Sequence, residues 1–133
     1  MMDDEFRVTS INMSKIASFT DLEAWKINHQ IVLAIYKLTV GFPKEEKFGI
    51  IDQLRRAASS VTANIAEGFG RYHYPDKLRF YYQARGSNSE VANFLILAKD
   101  LGLIKEKEFD ALYSLIIRGG QVINGLIRVH ATG

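Results

Sequence analysis

From Thr20 onward, apolar residues return every three or four positions, the spacing of helical faces. In "TDLEAWKINHQIVLAIYKLTV", Leu22, Trp25, His29, Val32, Tyr36 and Thr39 trace one face, and Ile27, Ile31, Ala34 and Leu38 a second. Thr20 followed by Glu23 has the spacing of a capping box and predicts where this helix starts. Its apolar surface is wider than one intramolecular neighbour would cover. A second helix is predicted from about Pro43, with Glu45 and Glu46 at the positive end of its dipole and Leu54, Ala58, Val61 and Ile65 on its inner face. Gly68 is read as its left-handed C-terminal residue. Pro75 suits the first turn of a third helix, which stops at Gly102. A fourth puts Phe109, Leu112, Ile116, Ile123 and Leu126 on one stripe, and its Gly119, Gly120 and Gly125 predict close approach to a neighbouring helix. The expected fold is all-α: an antiparallel up-and-down four-helix bundle over residues 20–133, preceded by a short irregular or strand-like arm over residues 1–19.

Polar residues also recur inside these patterns. Arg56, Ser60, Asn64 and Glu67 follow one another by four, four and three on the second helix; Arg85, Ser89 and Glu90 form a comparable strip on the third. Small neighbours (Ala57, Ala58, Ala63, Ala84, Gly86) would let these helices approach closely, so the strips are expected to face each other in a network of charge-assisted bonds that sets register. The competing reading is solvated surface.

The stretch "AEGFGRYHYP" reads as a corner between helices. Its glycines follow a helix where a dinucleotide loop would follow a strand, and no Gly-Lys-Ser/Thr ending completes a P-loop. Arg71 and His73 are then left to solvent or a partner. Between Arg55 and Arg85, six basic residues face two acidic ones, a net of +4, interleaved with Tyr72, Tyr74, Phe80, Tyr81 and Tyr82. Basic residues alternating with aromatics can hold phosphates and stack bases. Arg71, His73, Lys77 and Arg79 are the candidate nucleic-acid contacts; salt bridges with the aromatics buried are the structural alternative.

Composition narrows the rest. The 133 residues suit one domain. A net charge of +2 is too small to argue for nucleic acid without regard to where the charges sit. The chain has no cysteine, which removes disulfides and thiolate metal sites and suits a reducing cytoplasm. No apolar run reaches the ~20 residues a bilayer requires, and "MMDDEFRVTS" lacks the apolar core of a signal peptide. Neither a membrane nor a cofactor is expected. His29, His73 and His130 fall on three separate elements, without the i, i+4 spacing of a helical zinc site or the paired Glu-x-x-His of a diiron bundle. Catalysis is not expected, short of a site assembled between subunits.

"DLEAWKINHQIVLAIYKLT", "QLRRAASSVTANIAEGFGR" and "FYYQARGSNSEV" together resemble the bacterial four-helix-bundle proteins encoded in intervening sequences of 23S ribosomal RNA genes. The resemblance is strong from Asp21 to Gly102 and extends by pattern to the fourth helix. It implies a ring of identical copies, a homopentamer. It also implies kinship with the accessory subunits of diversity-generating retroelements, basic rings that bind nucleic acid and a reverse transcriptase. Arg56, Asn64, Glu67, Gly68, Arg85, Ser87 and Glu90 match its motif positions, and Asn88 stands where it implies an apolar residue. The expected function is a non-enzymatic homo-oligomer that contacts RNA or DNA, or a nucleic-acid enzyme, through basic corner and rim residues. The alternative is a protein-interaction scaffold without nucleic acid.

Overall fold

The computed structural model describes residues 15–131. Four α-helices dominate them: α1 (Glu23–Thr39), α2 (Asp52–Phe69), α3 (Tyr74–Asp100) and α4 (Glu106–Ala131). Each packs on its neighbours in chain order, and α4 returns against α1, so the four close a bundle around one core. Residues 1–14 of the expected arm lie outside the described residues.

Isoleucine and leucine fill the centre: Ile35, Leu54, Ile65, Leu95, Ile116 and Ile123 are fully buried. Removing each such side chain from water stabilises the fold by about 1.5–3 kcal/mol before entropy is counted. The inner stripes expected on α2 and α4 are the ones buried. On α1 the core face, Ala24, Asn28, Ile31, Ile35 and Thr39, cuts across the two faces traced in the sequence: Leu22 and Thr39 of the first and Ile31 of the second are buried, while Tyr36 is exposed and Trp25, His29 and Val32 are half-buried. The helix is rotated toward its small and polar residues because Asn28 and Thr39 find partners inside.

Those partners define the middle of the bundle. Asn28 Nδ2 donates to the Ala24 carbonyl at 2.8 Å and the Gly119 carbonyl at 3.3 Å. Across the bundle axis, Asn88 Nδ2 donates to Asn28 Oδ1 at 3.2 Å and to the Ile116 carbonyl at 3.1 Å. Two buried amides thus tie α1, α3 and α4 at one height. Glycine makes room for them: a Cβ on Gly119 would lie 2.7 Å from Asn28 Oδ1, and one on Gly120 2.8 Å from Asn88 Oδ1. Lower down, Thr39 Oγ1 donates to the Ile35 carbonyl and accepts from Arg55 Nε at 2.9 Å, joining α1 to α2.

Helix ends depart from the sequence reading in three places. The capping box belongs to Ser18 and Asp21, not Thr20 and Glu23; it closes a 3-10 turn, Phe19–Asp21, ahead of α1. Asp21 accepts from the Ala17 and Ser18 amides, which holds its carboxyl below the usual aspartate range. Second, α2 starts at Asp52: from Lys44 the chain makes a 3-10 turn and then a π-helical turn over Lys47–Ile51, broken at Gly49 (φ −107°, ψ −114°). That detour buries Ile50 and Ile51, which a regular helix from Pro43 would have placed differently. Third, Gly68 is helical, and among the described residues only Gly102 has a positive φ, at 75°. Gly68 serves close packing instead, since a Cβ there would sit 2.7 Å from the Tyr81 ring.

The two crowded and uncrowded glycines make a paired test. Gly119→Ala should lower the stability measured by urea denaturation by about 1–3 kcal/mol through overpacking. Gly86→Ala, where a Cβ meets nothing within 4 Å, should leave it unchanged or raise it by up to about 1 kcal/mol.

Candidate nucleic-acid interface

The corner between α2 and α3 takes only four residues, Gly70 to His73. Gly70 caps α2, His73 occupies the N-cap of α3 in an extended conformation, and Pro75 lies in the first turn, where its missing N–H costs nothing. Tyr72, 89% exposed, and His73 project from this turn with their rings edge to face at 4.9 Å.

The candidate cations here divide into two kinds. Arg71 and Arg79 bracket one ring: each guanidinium carbon lies 4.6 Å from the centroid of Phe80. Such stacking keeps a guanidinium planar and poorly hydrated while leaving its edge free to donate. Arg71 also pairs with Glu67 at 2.6 Å, one turn back along α2, and its buried Nε has no hydrogen-bond partner. Arg79 is exposed. Lys77 differs. Its Nζ donates to the Phe69 carbonyl at 2.7 Å and the Gly68 carbonyl at 3.4 Å, satisfying the frayed end of α2, and it sits 5.4 Å from the Phe69 ring centroid. Partial burial lowers its pKa from the usual lysine value. Lys77 is turned into the corner rather than outward.

Further along the exposed side of α3, the Arg85 guanidinium lies over the Tyr82 ring at 5.0 Å and donates to Asn124 Oδ1 of α4 at 3.2 Å. Arg71, Arg79 and Arg85 therefore share one construction, a guanidinium braced on an aromatic ring. Periodicity alone did not reveal that bracing, although Phe80 beside Arg79 and Tyr82 three residues before Arg85 were its signal.

The polar strips are arranged differently from the face-to-face network expected. Ser60 meets Ser87 across the α2–α3 interface at 2.9 Å, and Asn64 donates back to Ser60 within α2. Arg56 pairs with Asp52 of its own helix, exposed, at 2.9 Å. Ser89 donates to the Arg85 carbonyl, and Glu90 is exposed. Only the small serines fit between the helices; the charged residues stay outside, where water solvates them at little cost. The buried network is the Asn28–Asn88 pair, which the strips did not indicate.

No group of three or more potential metal-ligating side chains occurs among the described residues. Histidines meet aromatics instead: His29 stacks on Trp25 at 4.5 Å, and His130 lies between Tyr74 and Tyr81. No described helix is long and apolar enough to cross a membrane.

The family model for the 23S rRNA-intervening sequence protein matches residues 20–125, α1 through most of α4. The chain belongs to this family. A crystal structure of a protein of unknown function, from the S23 ribosomal protein family of Bacteroides thetaiotaomicron VPI-5482, has the same fold, with a TM-score of 0.71. It is 18% identical and covers 79% of this chain and 98% of its own. At that identity the likeness is one of fold alone. No curated protein matches this chain.

The two kinds of cation should separate on mutation. Lys77→Met should cost about 1 kcal/mol in urea denaturation, since two helix-end carbonyls lose their donor. Arg79→Gln should change stability by less than about 0.5 kcal/mol, as expected of an exposed side chain.

Proposed function

We propose that this family member is a non-enzymatic, cytoplasmic homo-oligomer that binds nucleic acid through the α2–α3 corner and the outer side of α3. The observation that carries this reading is the pair of guanidiniums braced on Phe80, next to exposed Tyr72 and His73. A phosphate takes two N–H donors from a planar guanidinium, and an exposed tyrosine offers a stacking surface for any base. Glu67 is the one carboxylate in an ion pair with this cluster among the described residues, and with Asp76 in the first turn of α3 it still leaves Arg71, Lys77 and Arg79 in excess by one charge. Arg85 on Tyr82 continues the same chemistry along α3.

The outer side of α1 and its groove with α4 support self-association. Leu33 is 58% and Val40 77% exposed, and the groove beside them, about 560 Å³, is lined by Ala34, Leu38, Leu112 and Leu115. Lys37 on one wall and Glu108 on the other give copies of the chain complementary rims. The ring implied by the family resemblance would cover this surface and set several basic corners side by side, multiplying a weak contact by effective concentration.

A second reading, a protein-interaction scaffold, draws on the opposite end, where Phe48 is 89% and Leu101 56% exposed. The two readings part in solution. Binding to structured RNA and single-stranded DNA, measured across a salt series, should weaken steeply with salt for the nucleic-acid reading. Arg71→Gln with Arg79→Gln should reduce the log–log slope by about 1–2 with helicity retained. Affinity indifferent to salt, or to both substitutions, favours the scaffold.

Native mass spectrometry should show an oligomer, and Leu33→Glu with Val40→Glu should give folded monomers. A wild-type chain that stays monomeric at every concentration removes the ring from the proposal.

A further inference from the structure

At the corner end of the bundle a cavity of about 240 Å³ opens between the start of α1, the α2–α3 corner and the end of α4. Ile16, Leu22, Phe69, Leu126 and the Tyr74 ring supply the apolar part of its walls. Three polar side chains interrupt them, Lys77, Tyr81 and His130, and no carboxylate lines it.

Each of the three has unused capacity. The Tyr81 ring is packed in the core, and its hydroxyl, on the cavity wall, makes no hydrogen bond among the described residues. Burial raises its pKa, which keeps the hydroxyl protonated and able to donate. Lys77 has three donors, of which the Phe69 and Gly68 carbonyls take two. His130 Nδ1 lies 2.8 Å from the Leu126 carbonyl, so it carries a proton toward that oxygen and Nε2 is the nitrogen left over. The ring is held edge to face against Tyr74 at 5.5 Å and Tyr81 at 5.4 Å.

We infer that this cavity is a binding site for a small monocarboxylate with an apolar body about the size of one aromatic ring. Lys77 and Tyr81 would donate to the carboxylate, and Phe69, Leu22 and Leu126 would enclose the body. The charge argument is one-sided: a cation and a hydroxyl donor line the same cavity with no acid among the lining residues to neutralise them. The size argument is independent, since an apolar cavity of about 150 Å³ suffices for benzene, and benzoate adds three heavy atoms. The inference does not rest on nucleic-acid binding; it assigns Lys77 to the interior of the corner, whereas Arg71 and Arg79 serve the outside.

The test uses the full chain and benzoate as probe, with benzyl alcohol as its neutral counterpart, followed by ¹H–¹⁵N and methyl NMR. Benzoate should bind saturably with a Kd of about 1 mM or tighter, within the range open to so small a ligand. Shifts should be confined to Phe69, Lys77, Tyr81, Leu126, His130 and their neighbours. Benzyl alcohol should bind at least about tenfold more weakly, lacking the charge. Tyr81→Phe keeps the ring and the packing against Gly68. It should weaken benzoate at least about tenfold, through loss of the hydroxyl donor. No shifts at 10-fold excess over about 1 mM, equal binding of the alcohol, or undiminished binding by Tyr81→Phe would each overturn the assignment. Shifts scattered over the surface would do the same, as they would mark non-specific association.

Discussion

Two asparagine amides in the middle of an apolar core constrain everything else in this bundle. Burying an amide unbonded costs several kcal/mol, and the hydrogen bonds that prevent this return about 1 kcal/mol each in net stability. Asn28 and Asn88 therefore add little to the total. What they add is position. Asn28 reaches the Gly119 carbonyl and Asn88 the Ile116 carbonyl only when α1, α3 and α4 stand at one relative height. A slip of one helical turn, about 5.4 Å, would leave two amides and their carbonyl partners mismatched in a dry interior, whereas a wholly leucine and isoleucine core would tolerate it. Gly119 and Gly120 are the backbone side of the same constraint, because any Cβ there would occupy the space of the amides.

Register at the middle fixes the geometry at the end. α3 carries Asn88 near its centre and Lys77, Arg79 and Phe80 in its opening turns. Its axial height decides whether Lys77 reaches the last carbonyls of α2 and whether Arg71, leaving α2, meets Phe80. Gly68 and Tyr81 repeat the device locally, a missing Cβ admitting an aromatic ring so that the helices converge at the corner. A four-residue connection allows no slack to absorb an error in that height. The corner is thus rigid, and a site built on it is organised before any ligand arrives, which lowers the entropy lost on binding.

How far this was legible in the amino-acid sequence follows the physics of each element. The inner stripes of α2 and α4 were readable because they are purely apolar, and period alone identifies such a stripe. α1 was only partly readable: its core stripe, Ala24, Asn28, Ile31, Ile35 and Thr39, takes Thr39 and Ile31 from two different apolar faces and includes Asn28, which hydrophobicity assigns to solvent. The correcting signal lay 91 residues beyond Asn28, in paired glycines on α4 whose vacancy must be filled by something. The corner was legible as a corner, from Gly70 and Pro75, but not the division of its cations. Lys77 turns inward and Arg79 outward although only two residues separate them, a distinction that depends on where the end of α2 lies and not on composition. Departure from expectation at Asn88 marked the central constraint, as a local inconsistency often marks a site with a specific duty.

The two faces of the corner can be understood from the difference between arginine and lysine. A guanidinium is weakly hydrated and planar, so it stacks on Phe80 or Tyr82 without surrendering its donors and remains available at the surface. An ammonium is compact and strongly hydrated; placed half-buried, it must replace lost water with oxygen atoms, and the free carbonyls at a helix end provide them. Exchanging the two would spoil both arrangements. Lysine at position 79 would leave Phe80 with a mobile charge that water holds better than the ring does. Arginine at position 77 would bring a planar fork to two carbonyls, those of Gly68 and Phe69, that a compact ammonium now serves from one point. The chemistry of each side chain therefore follows from its place, and each place follows from the height at which two buried amides lock α3 against its neighbours.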